Sequence, residues 1–217
     1  LTFERSVAVD EHFVFTIVDR VKNASANTVT LYPFGLVTRH GKPATSDRSI
    51  LHEGPIGVLD GKVVEYKYKD LIADKKKAIE SEGGWLGMTD KYWLVALLPD
   101  QGEKLSGVFS YGHSPDGVAE NGSFQVDYRG TSVSLAPGAD VERVQHFFAG
   151  AKRVGLLDSY AERYHLPHFD RAIDFGWFYF LAKPFLYLLS FLSGLLGNYG
   201  LAILAFTILL KVVTTPL

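Results

Sequence analysis

The chain has 217 residues, with 22 basic against 24 acidic side chains and a formal charge of −2. That balance lacks the basic surplus on which nucleic-acid binding depends, so no nucleic-acid partner is expected. Cysteine is absent, which excludes disulfides, thiol catalysis and cysteine-based metal sites.

The average composition hides an asymmetry. Charged residues are scattered from Leu1 to Asp170, whereas from Ala172 onward only Asp174, Lys183 and Lys211 carry charge. Two solvents are implied, water for the first part and lipid for the second. The chain begins at Leu1-Thr2-Phe3 with no apolar targeting segment and ends within membrane-type sequence, so it reads as a fragment.

From Leu1 to about Phe148 the local signal is β. Phe13–Val18, Thr28–Tyr32, Tyr92–Leu98 and Phe124–Tyr128 are rich in β-branched and aromatic residues. Turn signals separate them: Asn23-Ala24-Ser25, His40-Gly41-Lys42-Pro43, Asp60-Gly61, Pro115-Asp116-Gly117 and Asn121-Gly122. Many short strands at this spacing predict a sandwich. Alternation from Val58 to Lys69 predicts antiparallel sheet with one wet face. Glycines sit beside large aromatics in Gly83-Gly84-Trp85 and on to Tyr92-Trp93. Such a stretch is either close sheet packing around buried tryptophans or a ligand platform.

From Ala151 to His165 the period changes. Val154, Leu157, Tyr160, Ala161 and Tyr164 are spaced like one face of a short helix, which Pro167 ends. Phe175–Leu196 is then almost wholly apolar and reaches the roughly 20 residues that span a bilayer. Lys183-Pro184 interrupts it, and aromatics crowd its start at Phe175, Trp177, Phe178, Tyr179 and Phe180. Aromatic crowding favours the headgroup layer, so an amphipathic helix lying in the interface is expected, with Trp177, Phe178 and Lys183 at the membrane surface.

Gly197-Asn198-Tyr199-Gly200 reads as a turn, and Leu201–Leu210 opens a second apolar run. Lys211 follows, about 20 Å along a helix that starts near Asn198. That depth lies within a hydrocarbon layer about 30 Å thick. A lysine there costs about 2.5–3.5 kcal/mol unless it meets water or a partner. Either Lys211 snorkels to the cytoplasmic end of a short helix, or it faces a hydrophilic cavity.

The order Asp174-Phe175-Gly176-Trp177-Phe178, Lys183-Pro184, Gly197-Asn198-Tyr199-Gly200, then an apolar run to Lys211 and Pro216-Leu217, resembles the bacterial YidC-type insertases. Gly83-Gly84-Trp85 with Tyr92, and Phe147-Phe148-Ala149-Gly150-Ala151-Lys152, resemble that family's large periplasmic domain. The resemblance implies a mainly β fold: a periplasmic β-supersandwich, a short helix, an amphipathic interfacial helix and a transmembrane helix. On it the chain divides into a periplasmic β-sandwich with its C-terminal helix (1–170), an interfacial helix (171–197) and the start of a transmembrane helix (198–217).

The function implied is insertion and folding of nascent membrane proteins at the bacterial inner membrane, alone or with the Sec translocon and its SecDF subunits. Lys211 stands where the family places the basic residue of a hydrophilic, substrate-contacting groove. The resemblance implies ribosome contact through parts outside this chain, no cofactor and no enzymatic step.

Rival readings rest on fewer residues. His165-Leu166-Pro167-His168 with Asp170 is the nearest approach to a metal cluster, but Pro167 breaks the helical geometry that would align two ligands. No nucleophile elbow or phosphate loop is present. A membrane-tethered β-sandwich that binds carbohydrate or peptide is the sturdier rival. Exposed aromatics over a cleft would favour it, and burial of Trp85 and Trp93 would count against it.

Overall fold

Period-two alternation dominates the first 151 residues, and the chain there folds into antiparallel sheet. The computed structural model describes residues 1–43 and 51–215. Among these, the strands are β1 (Thr2–Val9), β2 (Val14–Lys22), β3 (Val29–Leu31), β4 (Phe34–His40), β5 (Gly54–Leu59), β6 (Lys62–Glu65), β7 (Lys76–Glu82), β8 (Trp85–Thr89), β9 (Trp93–Leu98), β10 (Lys104–Gly112), β11 (Ser123–Gly130), β12 (Val133–Leu135) and β13 (Asp140–Ala151). The helices are α1 (Tyr68–Asp74), α2 (Val154–Arg163), α3 (Tyr179–Leu196) and α4 (Tyr199–Thr214). The chain divides into two compact units, Leu1–Ala172 and Ile173–Leu217.

In the first unit, seven strands pair in the order β1-β2-β13-β9-β8-β5-β6, and four in the order β4-β11-β10-β7. β3 and β12 form a separate two-stranded ribbon. The two large sheets share a core of Leu59, Leu86, Met88 and Leu97 from one and Leu105, Phe109, Phe124, Val126 and Tyr128 from the other. The expected sandwich is therefore present.

β5 and β8 are buried along their whole length, so both of their faces are covered. The face opposite the sandwich carries Val58 and Trp85, which pair across the ladder, and Ala96 with Phe148. It is closed by α2 and by the 3₁₀ turn Phe169–Ala172. Trp85 meets Phe169 edge-on at 5.1 Å, and Phe148 contacts both Phe169 and Tyr160. The Trp85 indole N–H donates to the Pro167 carbonyl at 2.9 Å. Trp85 is fully buried, so the close-packing reading of Gly83-Gly84-Trp85 holds. At Gly84 the backbone has φ +95°, and a Cβ would collide with the Val58 carbonyl. Trp93, by contrast, is 60% exposed.

One local expectation held and one changed. Asp60-Gly61 forms the expected turn between β5 and β6, with φ of 52° and 68°, suited to a two-residue hairpin. The alternation does not continue to Lys69 as strand, however. Tyr68 and Leu71, both buried, form the inner face of the seven-residue α1. Tyr68 packs edge-on against Phe124 at 4.6 Å, so an i,i+3 pair replaces a period-two face.

α2 is tied to the sheet by a polar latch. The Tyr160 hydroxyl donates to Asp10 Oδ2 at 2.7 Å, while Asp10 Oδ1 accepts the His12 and Val14 amides, each at 2.9 Å. Partial burial acts to raise the Asp10 pKa, but these hydrogen bonds, with Arg163 nearby, outweigh it and hold the carboxyl below its ordinary value. A depressed aspartate contributes stability that is present above its unfolded pKa and lost as pH falls through the folded one.

Three outcomes follow for the first unit. Protection factors of the α2 amides, measured against the intrinsic exchange rate at each pH, should fall as pH drops below about 4, and Asp10→Asn should flatten that dependence. Tyr160→Phe should lower stability by about 1–2 kcal/mol in denaturant titration near neutral pH. Trp85→Ala should cost about 3–5 kcal/mol in the same measurement, because it empties the core between β8 and the 169–172 turn.

Candidate functional site

The second unit is a helical hairpin built from the least charged part of the chain. Its entry is set by Asp174, whose Oδ1 accepts the Gly176 amide at 2.8 Å and precedes the 3₁₀ turn Gly176–Phe178. Trp177 and Phe178 lie in that turn, and the Phe178 ring is exposed. α3 therefore starts at Tyr179, later than the apolar run suggests. Lys183-Pro184 consequently falls within its first two turns. Pro184, the sixth residue of α3, lacks the N–H that would reach the Phe180 carbonyl, so the helix forgoes that hydrogen bond.

The 18 residues of α3 have a mean hydropathy of 1.5, long and apolar enough to cross a membrane. The Lys183 ammonium lies 3.4 Å from the Tyr179 hydroxyl and 5.7 Å from its ring centroid. Tyr179 in turn meets Phe175 edge-on at 5.4 Å. The start of α3 thus gathers aromatic rings around one cation, an amphipathic combination suited to a membrane–water boundary.

Gly197, with φ +66°, caps α3 and donates to the Ser193 carbonyl. Asn198 then caps α4, accepting the Gly200 and Leu201 amides through its side chain. α3 and α4 pack against each other: Phe185 meets Phe206 edge-on at 5.1 Å, and Ala202 is fully buried.

Lys211 follows Ala202 by nine residues, which at about 100° per residue is half a turn away. It therefore lies on the face of α4 opposite to the one α3 covers, and it is exposed. Thr207, one turn earlier, shares that face, as does Thr215 one turn later. The Thr207 hydroxyl donates to the Ile203 carbonyl at 2.8 Å, and Thr214 does the same to Leu210 at 2.9 Å. The Thr215 hydroxyl donates to the Lys211 carbonyl at 2.5 Å. Back-bonding of this kind satisfies each hydroxyl within the helix. Lys211 remains the single charge on α4. Thr207 and Thr215 were not singled out from the sequence, although their four-residue spacing about Lys211 was the available signal. Pro216-Leu217 lies outside the described residues.

Of the four residues expected to act, Trp177, Phe178 and Lys183 gather at the start of α3, and Lys211 stands apart on α4. The histidine cluster does not assemble: His165 and His168 both have positive φ, at 54° and 50°. Among the described residues no group of three or more potential ligands is close enough to hold a metal ion.

In the first unit, a hollow of about 310 Å³ opens beside β1, lined in part by Phe3, Val21, Tyr32 and Phe34. Its charges are internally matched. Arg5 makes two hydrogen bonds to Asp19, at 2.6 and 2.8 Å, and Arg143 pairs with Glu103.

Comparison with known proteins bears on both units. The family of the YidC periplasmic domain matches residues 1–188, which takes in the whole β-unit and the first half of α3. Proteins named membrane protein insertase YidC align over the full chain at 43% identity in Rhizobium etli and at 44% in Nitrobacter hamburgensis and Methylorubrum extorquens. The chain spans only 36–37% of the length of these relatives. Identity at this level over every residue, together with the family match, places the chain in the YidC periplasmic-domain family.

Proposed function

We propose that this chain is the portion of an inner-membrane protein insertase in which the periplasmic β-domain passes into the membrane-embedded machinery. The observation that carries the reading is the position of Lys211 on the face of α4 that α3 leaves uncovered. A lysine in lipid would cost about 2.5–3.5 kcal/mol, a penalty relieved when its face lines a hydrophilic groove. In that reading α4 is the start of a transmembrane helix and forms one wall of the groove. α3 lies at the periplasmic interface, with Trp177, Phe178 and Lys183 at headgroup level. The reach of the periplasmic family match to residue 188 supports this placement of the α3 start.

The mechanism is electrostatic and needs no covalent step. Moving a polar segment of a nascent membrane protein across lipid is limited by desolvation. A wet groove part-way across shortens the dry path. The Lys211 ammonium attracts acidic and polar groups of the substrate, and poor screening strengthens that attraction. The apolar segment of the same substrate then leaves sideways into lipid. Cooperation with the Sec translocon and its SecDF subunits, and delivery from the ribosome, belong to this reading as properties of the complete insertase.

A second reading has one observation in its favour. The apolar hollow beside β1, with Phe3 and Tyr32 both more than half exposed, is suited to an extended peptide. Burial of Trp85 removes one of the two tryptophans on which a sugar platform would rest.

A single cysteine at position 211 of the intact, membrane-embedded protein tests the groove. Labelling by a membrane-impermeant thiol reagent from the cytoplasmic side alone is the expected result. Protection from both sides would place position 211 in lipid or packed protein and end the groove reading. In the same system Lys211→Glu should abolish insertion of substrates with acidic translocated segments, while Lys211→Arg should retain it.

A further inference from the structure

One end of the seven-stranded sheet carries large aromatic side chains that neither core absorbs. β2 starts there, β13 ends there and β9 starts there, as neighbours in the sheet order. Their register brings Phe13, Tyr92 and Trp93 together with the residues that lead into α2. The Ala149 amide donates to the Phe13 carbonyl at 3.0 Å, Ala151 pairs with Trp93, and the Lys152 amide donates to the Tyr92 carbonyl at 2.8 Å. Adjacent strands lie about 4.8 Å apart, so these three strand ends form one patch about 10 Å across. Phe13, Tyr92 and Trp93 are 53%, 65% and 60% exposed. Of the two readings of that aromatic stretch, close packing therefore applies to Trp85 and not to Tyr92 or Trp93.

The backbone holds the patch in place. Phe13 has φ 73°, a conformation that a bulky side chain adopts only when its surroundings enforce it. The enforcement is visible: Asp10 accepts the His12 and Val14 amides, and Asp10 and Val14 bond back to back across the turn. The result is a pre-formed turn that turns a phenylalanine outward.

Cations flank the rings. The Lys91 ammonium lies 5.4 Å from the Tyr92 ring centroid, and Arg153 is exposed at the residue preceding α2. The acids at this end are largely engaged elsewhere. Asp90 takes two hydrogen bonds from Arg39, each 2.7 Å, and Asp10 is held by Tyr160. Glu11 is the exposed exception. Aromatic rings interleaved with lysine and arginine on exposed turns match a layered solvent in which rings enter the headgroup region and cations meet phosphate.

We propose that this sheet end, through Phe13, Tyr92, Trp93, Lys91 and Arg153, docks on the headgroup layer of an anionic phospholipid bilayer. The proposal rests on the reading that the chain is anchored in a membrane, and its test separates the two. The intact protein, carrying one environment-sensitive fluorophore at position 13 or 92, is reconstituted into vesicles of phosphatidylethanolamine and phosphatidylglycerol. A label at Glu80, exposed on the edge strand β7 of the other sheet, serves as reference. Brominated lipids should quench positions 13 and 92 several-fold more than position 80. Lys91→Glu with Arg153→Glu should reduce that quenching at least by half in the anionic vesicles. In phosphatidylcholine vesicles quenching should start lower and respond little to the charge reversal.

Quenching at 13 and 92 no greater than at 80 overturns the docking. So does shielding of both positions in detergent without lipid, which would assign the patch to a protein partner. Flotation of the reconstituted protein reads membrane anchoring independently, so failure of that reading is seen separately.

Discussion

A sheet whose central strands are apolar on both faces needs two coverings, and this requirement organises the first unit. β5 and β8 expose nothing along their length. One face is satisfied by the four-stranded sheet, which brings Phe109, Phe124 and Tyr128 onto Leu59, Leu86 and Met88. The other face is left to whatever the chain supplies after β13. It supplies α2 and the Phe169 turn, and the polar features nearby follow from that docking. The Trp85 indole finds the Pro167 carbonyl because Phe169 has already placed that loop over the sheet. Tyr160 reaches Asp10 because α2 lies across the β1–β2 turn. The segment that follows the β-sheet in sequence is therefore part of its core.

The second unit obeys a different rule. With almost no charge to place, it hides backbone polarity inside two helices and hydroxyl polarity on i−4 carbonyls. What remains is one ammonium on each helix. Lys183 is drawn toward Tyr179, among the aromatic rings at the start of α3. Lys211 has a bare helix face. The unequal surroundings of two lysines, both in apolar helices, are the physical basis for proposing a boundary role for one and a substrate role for the other.

Much of this was legible in the residues. The strands at Phe13–Val18, Tyr92–Leu98 and Phe124–Tyr128, the Asp60-Gly61 hairpin and the helix before Pro167 all carry local signals strong enough to survive tertiary context. α1 was not legible, because two turns of helix hold too few residues to break an alternating pattern, and only burial of Tyr68 and Leu71 decides between them. Trp85 and Trp93 sit in one aromatic stretch yet differ completely in exposure. Which of them is buried depends on the later segment that covers β8, a long-range fact no window of sequence contains. For the candidate site, Lys211 was visible as a charge in an apolar run. The face it occupies became definable only once Phe206 and Ala202 were seen to pack against α3.

β1 stands apart from this economy. All eight of its residues are exposed, and among the described residues its ladder is shared with β2 alone. Its far end runs into Asp10, which the α2 latch grips, while nearer its start Arg5 pairs with Asp19 across the ladder. Local opening is cheapest where few apolar contacts must break. Among the described residues, the Asp10 turn is therefore where opening along β1 must first break contact with α2. A protease that samples such openings would meet firm resistance at the turn that α2 locks.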